Sequence, residues 1–219
     1  EQRARFSAAM KAFVPHAFEV LRTEISELDA EASPSDILRI EDLLNAVPDA
    51  PDDMLAEAIA PLTALPHLAT VALRACARLS PLIAKPRLCL AVSASDPKLR
   101  AMAIEELGRH DLIDDSLLPL VFSVFETHEM AAAPARQAAA VALGHVKKAL
   151  APKVFAQLVE VSGAGKSLLN RLVSRPKDVE HPEVLLAIAQ SLARLDRHNS
   201  EGPIKRLANM VEGATRDSI

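Results

Sequence analysis

The run SGAGKS at residues 162–167 is the segment that comes closest to a known binding motif. It ends like a phosphate-binding loop, in which the backbone amides of Gly-x-x-x-x-Gly-Lys-Ser/Thr surround a phosphate group. The first glycine of that motif would be residue 160, but this position is Glu160, and residues 154–161 have the pattern of a helix. An acidic side chain at the phosphate position argues against nucleotide binding. We therefore expect the glycines to end one helix and precede another, with Lys166 exposed.

Histidine, cysteine and acidic residues are not spaced as in a metal site or a catalytic centre. None of the seven histidines has a second histidine four residues away, and Cys76 and Cys89 form no Cys-x-x-Cys motif. A structural zinc ion needs four closely spaced ligands. The pairs Asp52-Asp53, Glu105-Glu106 and Asp114-Asp115 are adjacent in sequence, so their side chains do not face each other on a helix. The sequence therefore predicts a protein that is not an enzyme, with no metal, cofactor or small-molecule substrate.

The composition favours short helices separated by prolines. Half of the residues are apolar and a quarter are charged, which is typical of globular proteins. Alanine and leucine dominate, Trp and Tyr are absent, and fifteen prolines accompany only six glycines. The longest uncharged stretch, residues 58–73, is too short to span a bilayer, so no membrane contact is expected. Two cysteines are too few for a disulfide scaffold and favour a reducing compartment.

Apolar residues recur at helical spacing along the chain, and acidic residues or prolines precede many of these segments. These patterns predict helices over residues 3–29, 35–47, 52–64, 67–79, 81–93, 97–109, 114–127, 133–148, 152–162, 165–174, 182–195 and 202–213.

Five of the predicted helices resemble copies of one motif. Their sequences are EDLLNAV (41–47), VALRACARL (71–79), AMAIEELGRH (101–110), AAAVALGHV (138–146) and LAIAQSLARL (186–195). When Leu44, Cys76, Leu107, Leu143 and Leu192 are aligned, the first three intervals have the length of a two-helix repeat and the last contains an insertion. Each copy has alanines where a neighbouring backbone must come close. Because one helix pair cannot bury its apolar face alone, neighbouring pairs must stack.

The expected fold is an all-α solenoid of about five to six antiparallel helix pairs in a right-handed superhelix. A single repeat domain is expected over residues 1–219. It would comprise an acidic N-terminal helical cap (1–34), regular repeats (35–162), an insertion (163–181) and a C-terminal repeat (182–219). The alternative is an irregular bundle whose alanine-rich helices are similar only in composition.

Charge is distributed unevenly along the chain. Residues 1–60 carry 5 basic and 13 acidic side chains, whereas residues 136–219 carry 13 basic and 8 acidic ones. The basic half predicts a surface for RNA phosphates or for an acidic protein. With Phe155 as the only aromatic residue beyond Phe125, RNA binding would be weak, salt-sensitive and poorly sequence-specific. The candidate binding residues are Lys147, Lys148, Lys153, Lys166, Arg171, Arg175 and Lys177.

The repeated motif resembles HEAT and armadillo helical repeats in general. More narrowly, EVLLAIAQSLARL at 183–195 and the helices between residues 114 and 155 are similar to the octotricopeptide and FAST-kinase-like repeats of organellar RNA-processing proteins. The chain lacks the Trp frequent in such helices and a C-terminal RAP-like domain. The resemblance covers about residues 35–210. It implies a mitochondrial location and work on RNA or the mitoribosome within a larger assembly.

Two functions are therefore expected from different classes. The first is a non-enzymatic scaffold that docks other protein subunits on a concave face made of the second helices and contacts RNA through the basic half. The second is a purely protein-binding adaptor without RNA contact, whose acidic N-terminal helices meet a basic partner. Its acidic residues would be Glu24, Glu27, Asp29, Glu31, Asp36, Glu41 and Asp42.

Overall fold

A computed structural model of the chain describes residues 16, 18–28, 33–45, 52–64, 68–126, 129–163 and 180–216. Over these residues the protein is helical and contains no β-strand, which confirms the all-α prediction. No helix within the described ranges is long and apolar enough to cross a membrane. Residues 3–15 of the first predicted helix and the whole predicted helix at 165–174 lie outside the described residues.

The helices follow one another along the chain with short connections. They are α1 (18–26), α2 (Pro34–Asn45), α3 (Asp52–Ile59), α4 (Ala69–Cys76), α5 (Pro81–Val92), α6 (Pro97–Arg109), α7 (Leu118–Phe122), α8 (Ala133–Leu143), α9 (Ala151–Val161), α10 (Pro182–Leu195) and α11 (Glu201–Arg216). Short 3₁₀ helices cover Pro61–Ala64, Ser123–Glu126 and Met130–Ala132.

Two of the predicted helix starts are confirmed in detail. Asp96 caps α6, because its carboxylate accepts a hydrogen bond from the backbone N–H of Lys98 at 2.8 Å. His181 caps α10 through Nδ1, which accepts from the N–H of Glu183 at 3.3 Å. In each case proline is the first helical residue, where a missing amide costs nothing.

Other predicted boundaries are wrong by several residues. The helix expected from residue 114 starts at Leu118, because the Asp114 carboxylate accepts from the amides of Ser116 and Leu117 and holds a turn there. The helix expected to reach residue 148 ends at Leu143, and a turn follows.

The chain divides into two compact units, residues 1–88 and 89–219, and the division falls within α5. In the first unit, α3 and α4 pack together and α2 contacts α4. Arg78 donates to the carbonyl of Leu44 at 2.7 Å, and the amide of Ser80 donates to the Asp52 carboxylate at 3.1 Å. These bonds tie α2 and α3 to the end of α4. The prediction of one repeat domain over 1–219 stays a prediction.

Cys76 lies in the apolar interior of the first unit, where its side chain is 2% exposed. Desolvation raises the pKa of its thiol, and the nearby Arg87 partly opposes this effect. A buried, protonated thiol is a poor nucleophile.

In a Cys89→Ser variant, we expect the Cys76 thiol to react with a disulfide reagent at pH 8 at least about tenfold more slowly than in the unfolded chain. Absorbance of the released chromophore gives both rates. Equal rates in native and denatured protein would show that α4 is not packed as described.

In the second unit, α8 lies between α6 and α10, and α10 also contacts α9 and α11. Leucines and isoleucines of these helices, such as Ile104, Leu143 and Leu192, are completely or almost completely buried. The interior also holds one arginine, Arg136, which is 1% exposed.

Arg136 joins three segments around the start of α8. Its Nε and one terminal nitrogen donate to the same carboxylate oxygen of Glu180, at 3.1 and 2.9 Å. Its other terminal nitrogen donates to the carbonyl of Glu129 at 3.0 Å. The Glu180 carboxylate also accepts from the amide of His181, so the ion pair positions the start of α10 against α8.

Replacing Arg136 by alanine should lower the free energy of unfolding by about 3–5 kcal/mol, since Glu180 would stay buried without this partner. Urea denaturation followed by circular dichroism measures the loss. Arg74→Ala is the matched control, because Arg74 forms its ion pair with Glu41 on the surface and should cost about 0–1 kcal/mol. Similar losses for the two variants would contradict the proposed role of Arg136.

Candidate docking groove and basic turns

Three of the aligned repeat copies, α6, α8 and α10, lie side by side with very close backbone contacts. A Cβ atom added to Gly108 of α6 would come within 2.7 Å of the Cβ of Ala142 in α8. A Cβ atom added to Gly144, directly after α8, would come within 2.7 Å of the Cβ of Ser191 in α10. The hydroxyl of Ser191 also donates to the carbonyl of Ala140 at 2.7 Å. The neighbouring helices are therefore separated only by small side chains.

The two contacts occupy the same position in the repeat. Gly108 and Gly144 each follow the aligned leucine of their own copy, Leu107 or Leu143, by one residue. The residue that each glycine meets precedes the aligned leucine of the next copy by one. The same pairing thus occurs between α6 and α8 and again between α8 and α10, which supports the repeat alignment.

Gly108→Ala and Gly144→Ala should each lower the free energy of unfolding by about 1–3 kcal/mol, because the new methyl group would overlap the next helix. Gly202→Ala is the control: its Cβ would come no closer than 3.8 Å to another group, the flexible side chain of Arg206. This control should be neutral or slightly stabilising. Urea denaturation compares all three, and an unchanged midpoint for both Gly108→Ala and Gly144→Ala would contradict the close packing.

A groove of about 610 Å³ lies on the outer side of the contact between α6 and α8. Its apolar part is formed by alanines and by Val141, which is 39% exposed. Charged and polar side chains of both helices stand at its sides. The lining residues are Ala101, Glu105, Gly108, Arg109, Asp111, Pro134, Gln137, Ala138, Val141, Ala142 and His145. We call this surface the α6–α8 groove.

The charges along the α6–α8 groove are of both signs. Arg109 forms an ion pair with the buried carboxylate of Glu106, and His110 lies 3.5 Å from the other oxygen of that carboxylate. Part of the charge of Arg109 is therefore neutralised within α6, while Glu105 and Asp111 contribute negative charge to the groove. The groove suits a partner that presents apolar side chains flanked by charges of both signs.

Basic side chains collect at the end of the groove, in the turns that follow α8 and α10. The Nε2 of His145 lies 2.6 Å from a terminal nitrogen of Arg194. Because a guanidinium only donates, Nε2 is the acceptor and carries no proton. Lys147 and Lys148 follow in the first turn, and Arg197 and His198 in the second; all are exposed. We call the set His145, Lys147, Lys148, Arg194, Arg197 and His198 the turn patch.

Asp196 is the acidic residue within the turn patch, and its carboxylate is used by its own turn. It accepts from the Asn199 side chain at 2.7 Å and from the amides of His198 and Asn199 at 3.0 Å. These hydrogen bonds, chiefly the one from the Asn199 side chain, lower the pKa of Asp196. The carboxylate therefore stays ionised and stabilises the turn.

The structure brings together some of the basic residues selected from the sequence and separates another. Lys147 and Lys148 lie in the turn patch. Lys153, at the start of α9, forms an ion pair with Asp115 at 2.6 Å. The remaining four candidates, Lys166, Arg171, Arg175 and Lys177, lie outside the described residues.

Sequence reasoning missed His145 and Arg194. Both lie two residues after an aligned leucine, Leu143 or Leu192, so the repeat alignment itself would have placed them side by side. Sequence reasoning correctly expected a helix to end at Gly163: α9 ends at Val161, and Gly163 has φ +67°, which favours glycine.

The acidic residues proposed for an adaptor are largely occupied by contacts within the first unit. Glu24 pairs with Arg39 at 2.5 Å and Glu41 with Arg74 at 2.9 Å. Asp36 accepts from the hydroxyl and amide of Ser33, and these bonds lower its pKa. Glu27 and Asp42 are exposed, whereas Asp29 and Glu31 lie outside the described residues.

Metal ligands do not cluster in the described part of the chain, where no three His, Cys, Asp or Glu side chains lie close enough to hold an ion. The sequence matches no family model, and no curated protein or solved structure is significantly similar to it. Its likeness to helical repeats therefore rests on the aligned residues and on the repeated contact between α6, α8 and α10.

Proposed function

We propose that this protein is a non-enzymatic helical-repeat scaffold, a subunit of a larger RNA-associated assembly. The observation that carries the proposal is the pairing of Gly108 with Ala142 and of Gly144 with Ser191 at one repeat position. Such a repeated contact is expected when antiparallel helix pairs stack as an α-solenoid, each pair burying the face of the next.

Stacking of this kind leaves one face of the second helices open along the row. In this protein the open face contains the α6–α8 groove, with exposed Val141 between charged side chains. Solenoids use such extended surfaces to bind other proteins. The proposed occupant is a segment of another protein subunit whose apolar residues rest on Val141 and whose flanking charges pair with the sides of the groove.

The RNA half of the proposal rests on the exposed lysines of the basic turns and on the resemblance to octotricopeptide and FAST-kinase-like repeats. Lys147 and Lys148 make a pair of exposed positive charges. The resemblance supports mitochondrial RNA processing or a mitoribosome-related role, and with it a mitochondrial location.

The alternative function is a protein-binding adaptor that uses its acidic N-terminal helices and has no RNA contact. The internal partners of Glu24, Asp36 and Glu41 favour it less, because their charge is already compensated within the first unit. Purification of the native complex with and without nuclease separates the two functions: adaptor contacts survive digestion, whereas subunits held through RNA are lost.

A pair of valines with equal exposure tests the groove. Val141 lies in the α6–α8 groove and is 39% exposed, and Val161 at the end of α9 is 40% exposed. Peptides selected from a random displayed library on the purified chain should bind Val141→Arg at least about tenfold more weakly, because arginine buries an unpaired charge in the contact. The same peptides should bind Val161→Arg as tightly as they bind the unmodified chain, measured by fluorescence anisotropy.

Circular dichroism should show the same helix content for both variants, since both valines are at the surface. If no peptide is selected, or if both substitutions weaken binding equally, then the α6–α8 groove is not the docking surface.

A further inference from the structure

The turn patch concentrates positive charge where two turns of the second unit meet. The contact between His145 and Arg194 brings the ends of α8 and α10 together, so the residues that follow them are neighbours. Lys147, Lys148, Arg194 and Arg197 contribute four positive charges. The facing acidic residues are Asp196, which caps its own turn, and Asp111, which lies near His145 and Lys147 at the α6 side of the patch.

Helix electrostatics explain only part of this charge. A cation in the last turn of a helix interacts favourably with the C-terminal carbonyls, and Arg194 occupies that place in α10. Lys147 and Lys148 lie beyond the end of α8, and Arg197 lies beyond the end of α10. Their charges extend outward from the helix ends into solvent.

The side chain of Arg194 is held in place for ligand binding. One terminal nitrogen donates to His145, and this bond restricts the rotation of an otherwise exposed guanidinium. The remaining N–H groups form a planar fork that matches two oxygens of a phosphate. Less side-chain entropy is lost on binding when the donor is already fixed.

We propose that the turn patch binds the phosphodiester backbone of single-stranded RNA, with Arg194 as the central ligand, Lys147, Lys148 and Arg197 as flanking phosphate contacts, and His145 as the residue that positions Arg194. This inference rests on the RNA half of the proposed function. The exposed residues of the two turns are polar or small, and none of the described ones is aromatic. An acidic protein segment would find no apolar anchor there, and bases would find no ring on which to stack, so recognition is confined to the backbone.

The test uses fluorescence anisotropy with labelled oligouridylate, oligothymidylate and polyglutamate of twenty units each, at several salt concentrations. A triple variant, Lys147→Gln with Lys148→Gln and Arg194→Gln, removes three positive charges from the patch. It should bind oligouridylate on the order of tenfold more weakly at low salt, and the slope of log affinity against log salt should fall by about 2. Oligothymidylate should behave similarly, because both polymers share the phosphodiester.

The matched control removes the same number of charges from exposed positions elsewhere: Arg39→Gln, Arg74→Gln and Lys98→Gln. Its affinity and salt slope should stay close to those of the unmodified chain. Arg194→Lys keeps the charge but loses the planar fork, so it should bind oligouridylate about two- to fivefold more weakly with an unchanged salt slope. Thermal denaturation verifies that each variant is folded.

The outcomes separate this inference from the function on which it rests. If the unmodified chain binds oligouridylate but the triple variant behaves like the control, the turn patch is not the site and the RNA association stands. If the unmodified chain does not bind oligouridylate at low salt, both are wrong. If polyglutamate binds more tightly than oligouridylate and only the triple variant loses it, the patch serves an acidic protein and the inference fails.

Discussion

The close approach of α6, α8 and α10 is the constraint on which the second unit depends. At each contact the distance leaves no space for a β-carbon on the glycine and only a small side chain opposite it, Ala142 or Ser191. Helices at such separation bring their backbones into direct van der Waals contact, and the larger leucines fill the space on either side. Because the spacing is the same at both contacts, residues at one repeat position line up across the three helices, and the surface they form has the same period.

This alignment explains why the groove and the turn patch lie where they do. Small residues on α6 and α8 lower the surface between the helices and leave the α6–α8 groove, with Val141 exposed in it. Two residues past the aligned leucine, the last helical turn puts His145 beside Arg194. The buried ion pair of Arg136 and Glu180 acts at the opposite end of α8 and fixes where α10 begins. Both candidate surfaces are thus by-products of how the helices stack.

Much of the local structure followed from the sequence because its causes are local. Helical spacing of leucine and alanine, and caps such as Asp96 before Pro97, depend on residues within one or two turns. The late start of α7 shows the limit of this reasoning. Asp114 reads equally well as the cap of a helix or of a turn, and the chain uses it for the turn that precedes Leu118.

The sequence by itself determined the helical class, most helix starts and the positions of the small residues, since propensity, capping and periodicity are properties of neighbouring residues. Only the tertiary structure decided which charges remain available to a partner. Lys153 and Lys147 look equivalent in the sequence, yet Lys153 meets Asp115 from a distant turn. His145 and Arg194 are far apart along the chain and come into contact through stacking. Electrostatic interactions depend on distance in space, and the fold sets that distance.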